Sequence, residues 1–342
     1  MRAYHLESFG DIDGIVLREH GPAVPEPAGP TDIVVAVRAA SLNRRDLMIL
    51  HGRYPLPAVP GVVALSDGAG EVVAVGEAVT RFAVGDRVSS SYFPRWRTGR
   101  ITPDAIDQPG CTIDGMLAEY AVLDEQWAVA VPAHLTWEEA ATLPCAALTA
   151  WSALTGGEAL LPGQTVLTLG TGPVALFAVQ FAKSMGLRVV STTSDEEKAD
   201  RLKALGADAV VDYRRHPEWS TQVREATDGL GADLVVETGG PDTIEQSLRA
   251  SALYGQIALL ITGSARKPGI EVSNEAYASS LATIRREFVG SRERFEAMNR
   301  AVTAHGLRPQ IGRVHSFEEV HTAYRNHEVD PPFGKVVISL GS

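Results

Sequence analysis

The segment Gly170-Thr171-Gly172-Pro173-Val174-Ala175 has the G-x-G-x-x-A spacing of a phosphate-binding turn. Glycine at the first position permits a tight turn, glycine at the third lets backbone approach a pyrophosphate, and the small Ala175 keeps the following helix close to the preceding strand. A helix start also offers free N–H groups and the positive end of its dipole, so Thr171 and Val174 join the expected phosphate contact, with Pro173 lining the turn without an N–H. The apolar run Thr165–Leu169 precedes the turn and a helix-period segment from Val174 to Met185 follows it, which is the context the motif requires.

A dinucleotide site of the NAD type carries an acid at the end of its second strand to bind the ribose hydroxyls. Here that strand ends Ser191-Thr192-Thr193-Ser194, and Asp195, Glu196 and Glu197 come slightly late. The hydroxyls of Thr193 and Ser194 with Lys198 suit a 2′-phosphate instead, which puts NADP(H) ahead of NAD(H). The alternative is that Asp195 caps the next helix and Lys198 is a solvated charge.

The elements that position these residues fall into three parts. Residues 1–131 show short β-branched runs broken by Gly, Pro and Asp, such as Asp32–Arg38 and Glu71–Gly76, and predict a β-rich domain. Between Tyr92 and Gly115 the pattern breaks up into a long irregular stretch, the mark of a functional lid or an insertion. Residues 132–290 alternate strands with helix-period segments, the signature of a doubly wound parallel sheet. Its strands are expected near Thr165–Leu169, Arg188–Thr192, Ala209–Val211, Ala232–Val236 and Gln256–Ile261, with a helix over Glu196–Leu205 stopped by Gly206. From 291 onward come helices at Arg292–His305 and Phe317–His327 and a short strand, Lys335–Ile338, which returns to complete the N-terminal domain. The fold class is therefore α/β.

Composition bounds the function. The chain has 342 residues, 31 Lys and Arg against 42 Asp and Glu, and 45% apolar residues, so it is globular and too long for one core. An acidic chain without a basic stripe excludes nucleic acid as partner. No signal-peptide core and no apolar run of about 20 residues is visible, which predicts no membrane partner. Two cysteines, Cys111 and Cys145, suit a reducing cytoplasm.

The order of several loose markers resembles the medium-chain dehydrogenase/reductase superfamily, in its zinc-lacking quinone-oxidoreductase-like and alcohol-dehydrogenase-like branch. They are Ser41–Asp46, Asp67–Val72, Val84–Val88, Gly115–Tyr120, Ala140–Trp151, the Gly170 turn and Phe333–Val337. The resemblance covers essentially the whole chain. It implies a GroES-like β domain from residues 1–131 and 291–342, a Rossmann domain over 132–290, an active site in the cleft between them, and a homodimer. By position it also implies cofactor contacts from Asn43, Thr149, Tyr213, Gly239, Gly240, Ile261 and Lys335. Tyr213 reads equally as a half-buried strand residue.

The zinc-dependent branch has Cys where this chain has Asn43, His where it has Ser66, and a further Cys matching Cys145. One thiol and Asp67 fall short of the three protein ligands a catalytic zinc needs, and a structural zinc lobe needs four cysteines where Tyr92–Thr112 has Cys111 alone. No metal is expected. Without a Lewis acid, hydride addition to an enone, enal or quinone is less demanding than alcohol oxidation, because hydrogen-bond donors can stabilise the delocalised oxyanion. Tyr54 is the candidate proton donor, by its likeness to the tyrosine of enoyl reductases, and its alternative is a wall residue before Pro55. Asn43 offers an amide to the nicotinamide or the substrate oxygen. His51 is a weaker relay candidate, and Asp46 and Asp67 read as structural. Tyr92, Phe93 and Trp96 either wall the substrate pocket or anchor their loop.

The expected function is a zinc-independent NAD(P)H-dependent oxidoreductase acting on a small-molecule enone, enal or quinone. A zinc-free NAD(P)-dependent alcohol dehydrogenase is the rival, and a non-catalytic dinucleotide-binding sensor or structural protein is the alternative of another class.

Overall fold

The computed structural model describes residues 1–19, 21–263 and 267–341. It divides into two compact units, one of Met1–Leu148 with Gly290–Ser342 and one of Thr149–Val289. The sequence reading put the first boundary at 131. The segment after it, including the helix Trp137–Ala140, belongs to the first unit, because Glu139 closes a capping box with Thr136 and pairs with Arg308 at 2.7 Å.

Unit 1 is built on a seven-stranded sheet. Its order is Ile311–Ser316, Lys335–Ser339, Asp32–Ser41, Asp67–Val75, Arg87–Ser90 and Ala128–Ala130, with Tyr120–Asp124 also pairing to Asp32–Ser41. Lys335–Ser339 runs antiparallel to Asp32–Ser41 in the register Val337 opposite Ser41, so the C-terminal strand does return to the N-terminal domain. A smaller sheet of Ile15–Glu19, Arg2–Leu6 and Val62–Val63 covers a core of Tyr4, Leu42, Leu50, Phe317 and Tyr324. Each such large side chain contributes about 1.5–3 kcal/mol by leaving water.

Unit 2 carries a six-stranded parallel sheet in the order Ala209–Asp212, Arg188–Thr193, Thr165–Leu169, Ala232–Glu237, Ser251–Leu259 and Thr283–Arg286. Its core packs Leu167, Val190, Val235 and Ile257 against Leu248 and Val223. The helix Glu196–Leu205 ends where expected, since Gly206 takes φ +119, a conformation closed to most side chains. Beyond residue 132, two strands escaped the sequence reading. Thr283–Arg286 is polar and sits at the sheet edge, and Ile311–Ser316 alternates half-buried with exposed residues. The fifth expected strand is shifted, running over Ser251–Leu259 and leaving Ile261 in the segment beyond it.

The irregular stretch after Tyr92 is packed rather than lid-like at its ends. Tyr92 and Phe93 are 2% and 1% exposed and meet edge to face at 4.9 Å, and Gln108 and Cys111 are fully buried. Tyr92 and Phe93 therefore anchor their loop. Among the described residues no helix is long and apolar enough to cross a membrane.

Candidate functional site

Unit 2 positions the phosphate turn with backbone alone. The strand Thr165–Leu169 delivers Gly170 at φ +73, and Gly172 caps the helix Pro173–Ser184 with Pro173 in its first turn, where a missing N–H costs nothing. Thr171 and Val174 flank the turn half-buried, and Ala175 is buried against the sheet. A Cβ built on Gly170 or Gly172 meets no atom within 4 Å, so both glycines face open space. That is the cradle a pyrophosphate requires.

At the neighbouring strand end, the Tyr213 hydroxyl donates to Ser194 Oγ at 3.0 Å. Asp195 accepts the Lys198 N–H at 2.8 Å and is the N-cap of Glu196–Leu205, so the nearest acid is engaged in capping. Thr193 is buried, while Ser194 and Lys198 are half-buried and Tyr213 is 40% exposed. Arg215, which the sequence reading passed over, pairs with Glu196 at 2.5 Å and Asp212 at 3.4 Å beside them. The pair Arg214-Arg215 directly after a strand was the signal available.

Gly239 and Gly240 donate their N–H groups to Glu237 Oε1 at 2.7 and 2.8 Å, and Thr243 and Ser247 donate to the same carboxylate. Burial raises the Glu237 carboxyl against the pull of these bonds. The two glycines, expected as cofactor contacts, thus point their N–H groups inward. Ile261 is half-buried and brings its carbonyl against Gly240. Thr149 is buried in the helix Leu148–Thr155.

Unit 1 gathers side chains from distant segments. Lys335, 1% exposed, donates from Nζ to Leu42 O at 2.8 Å and to Asn43 Oδ1 at 2.6 Å, with Asp67 Oδ2 at 3.6 Å. Asp67, fully buried, accepts from Ser66 Oγ at 2.7 Å and from the Cys145 N–H at 3.2 Å. The last bond is possible because Leu143–Ala147 forms a widened π turn in which Pro144 has no N–H and the Cys145 N–H turns to Asp67. Lys335, expected near the cofactor, is committed to Asn43 and Leu42. Asp46 accepts the Asn43 N–H at 2.7 Å, and burial lifts its carboxyl to about 6 despite the pull of Arg45.

A second cluster surrounds Tyr54. Its hydroxyl donates to Gln108 Oε1 at 2.7 Å and lies 2.9 Å from the Tyr92 hydroxyl, which is itself 3.0 Å from Gln108 Oε1. The buried Arg45 guanidinium lies 5.3 Å from the Tyr54 ring centre and 5.0 Å from that of Tyr92. Burial raises the Tyr54 hydroxyl, and Arg45 and Tyr92 pull it back. Gln108 and Arg45 were not singled out from sequence. His51, by contrast, pairs with Glu328 at 2.8 Å.

The positions where a zinc-dependent relative would hold its metal carry an amide, a hydroxyl and the Cys145 thiol, which burial and then Asp67 keep protonated. The one carboxylate among them, Asp67, already faces the Lys335 ammonium. These residues do not fit a zinc ion.

Residues 29–133 match the alcohol dehydrogenase GroES-like domain and residues 173–304 the zinc-binding dehydrogenase domain. A zinc-type alcohol dehydrogenase-like protein of Schizosaccharomyces pombe is 38% identical over 322 residues, covering 93% of each chain. The chain belongs to the medium-chain dehydrogenase/reductase family. A quinone oxidoreductase of Pseudomonas aeruginosa is 33% identical over 81% of this chain and 78% of its own. The crystal structure of an NAD-dependent alcohol dehydrogenase superposes with a TM-score of 0.86 at 33% identity over the whole of both chains. As a medium-chain dehydrogenase/reductase, this protein is an NAD(P)-dependent oxidoreductase with the GroES-like and Rossmann folds of the family.

Proposed function

We propose that the chain is a zinc-independent reductase that uses NADPH in preference to NADH and adds hydride to an enone, enal or quinone. The observation that carries this reading is the Lys335 ammonium bonded to Asn43 and facing Asp67, where metal ligands would otherwise converge. A fixed positive charge and an amide are suited to an oxyanion that is already delocalised, and less to deprotonating a simple alcohol.

Bound cofactor supplies the hydride. Gly170, Thr171, Gly172, Pro173 and Val174 hold its pyrophosphate, and Ser194, Lys198 and Tyr213 present two hydroxyls and a cation to a 2′-phosphate. Asn43 donates from its amide to the acceptor oxygen, and Tyr54 gives the proton that completes reduction. The phenolate left behind is stabilised by the Tyr92 hydroxyl and the Arg45 charge until solvent reprotonates it. Tyr54→Phe should lower kcat by about 10²–10⁴-fold while leaving cofactor binding intact; unchanged turnover removes Tyr54 from this role.

The reading includes a homodimer. Thr283–Arg286 is the edge strand of its sheet, and Tyr277, Leu281 and Phe288 nearby are 53%, 49% and 42% exposed. Light scattering at micromolar concentration tests it.

The decisive experiment treats the protein with chelator, titrates NADPH and NADH by cofactor fluorescence, and follows absorbance with a panel of enones, quinones, aldehydes and alcohols. Consumption of NADPH by enones or quinones in chelator supports the proposal. A second reading, a zinc-free alcohol dehydrogenase, draws its alcohol chemistry from the similarity to the NAD-dependent alcohol dehydrogenase, and reaction with alcohols or aldehydes alone would select it.

A further inference from the structure

Lys335 decides which way the Asn43 side chain faces. An ammonium has hydrogens to donate and no lone pair to offer, so the Asn43 atom 2.6 Å from Nζ is the carbonyl oxygen. The amide nitrogen is thereby turned to the opposite side. There Asn43 Nδ2 is buried, in a residue 8% exposed, and has no hydrogen-bond partner. An unmet buried donor of this kind costs about 1–3 kcal/mol, a cost that a ligand oxygen would remove.

The arrangement is held from behind. Asp67 balances the Lys335 charge and is fixed in turn by Ser66 Oγ and the Cys145 N–H, while Asp46 takes the Asn43 backbone N–H. The Asn43 backbone N–H and side-chain carbonyl are both engaged, and its Nδ2 is the group left without a partner. We infer that Lys335 is a positioning residue that locks Asn43 with Nδ2 away from the ammonium, as the donor to the acceptor-substrate oxygen on which negative charge develops. This rests on the reductase reading given above, and it adds which atom of Asn43 acts and what aims it.

Asn43→Asp keeps a partner for Lys335 and so keeps the buried pair, but it replaces the unpartnered donor by an acceptor. Its kcat should fall by about 10²–10³-fold at neutral pH, the effect of deleting an oxyanion donor, and recover toward acid as the carboxyl regains a proton. NADPH affinity should stay within about twofold, because the donor serves the substrate rather than the cofactor. The double variant Lys335→Met/Asp67→Asn removes both charges together, which avoids a lone buried ion, and should lower kcat by about tenfold as the amide becomes free to flip. Loss of NADPH binding with kcat unchanged at saturation, in either variant, would overturn the inference.

The test is independent of the substrate class. If enones and quinones fail but an aldehyde reacts, the reductase reading falls, and the acid recovery of Asn43→Asp is measured with the aldehyde. If nothing turns over, the ¹⁵N-labelled side-chain amide of Asn43, assigned by its absence in Asn43→Asp, is followed in the NADPH-bound protein as cyclohexenone is added. A shift of that signal supports the inference, and an unmoved signal rejects it.

Discussion

The phosphate turn of unit 2 and the polar cluster of unit 1 are made of opposite materials. The turn is six consecutive residues whose backbone does the work, and its glycines look onto open space. The cluster consists of buried groups drawn from four places in the chain, with Asn43 and Lys335 292 residues apart. A backbone cradle tolerates almost any surroundings but no added Cβ at the critical points. A side-chain cluster tolerates changes of backbone sequence around it but not the loss of one charge. The two candidate sites are therefore exposed to different kinds of mutation.

The largest expected effect breaks the cluster. Asp67→Ala leaves the Lys335 ammonium buried and unpaired, and should destabilise unit 1 by about 3–5 kcal/mol, read as a lowered urea midpoint. A midpoint within error of the wild type would mean that the ammonium finds water, and the cluster would lose its claim to be dry.

The cradle should break the other way. Gly172→Val places a branched side chain where a pyrophosphate would approach, and is expected to weaken NADPH by about 100-fold while moving Tm by no more than ~2 °C, since nothing in the protein lies within 4 Å. A large fall in Tm with binding retained would show that the glycine is needed for folding instead.

Lys198→Ala sharpens the contrast inside unit 2. It should weaken NADPH by about tenfold and leave NADH unchanged, the loss of one charge-assisted contact to a 2′-phosphate. Equal effects on both cofactors would reject the 2′-phosphate assignment.

The smallest effect is electrostatic. Burial, with Lys335 and Arg44 nearby, lowers the His327 imidazole to about 4, so the unfolded chain binds a proton at a higher pH than the folded one. His327 therefore contributes stability that is present above about pH 6.5 and is lost as pH falls toward 4. Asp46, raised to about 6, acts in the opposite sense, gaining stability as pH falls through that value. The difference between wild type and His327→Gln cancels the Asp46 contribution. Between about pH 7 and pH 5 it should change by on the order of 1 kcal/mol, and a flat difference would show an imidazole that titrates normally.

The same contrast governs what could be read from the amino acids. The Gly170 turn, the helices Glu196–Leu205 and Arg292–His305 and the alternation of strands with helices follow from neighbours in the chain: turn glycines, caps and apolar periods. Asn43 and Tyr54 were named as candidates, but not their partners. Nothing local in Phe333-Gly334-Lys335 says that the ammonium faces Asn43, or in Asp107-Gln108-Pro109 that the amide accepts two tyrosines. Arg45 was hidden for another reason: a charged residue in a short helix is expected outside, and here it is buried between aromatic rings. The strand Thr283–Arg286 was missed because an edge needs no apolar alternation to pair with Ser251–Leu259.

The pairing of Lys335–Ser339 with Asp32–Ser41 also orders events during synthesis. Unit 2 is one uninterrupted stretch and can fold as it leaves the ribosome, whereas the Ala39–Ser41 end of Asp32–Ser41 lacks one of its two neighbours while roughly 300 further residues are made, about 15–60 s at ~5–20 residues per second. Tyr120–Asp124 pairs with Asp32–Ala36 much earlier, so the edge left waiting for that interval is the short run Ala39-Ala40-Ser41. The lysine that aims Asn43 begins the strand that closes this edge. Translation thus completes the sheet and installs the charge in a single late step, and a prematurely terminated chain has neither.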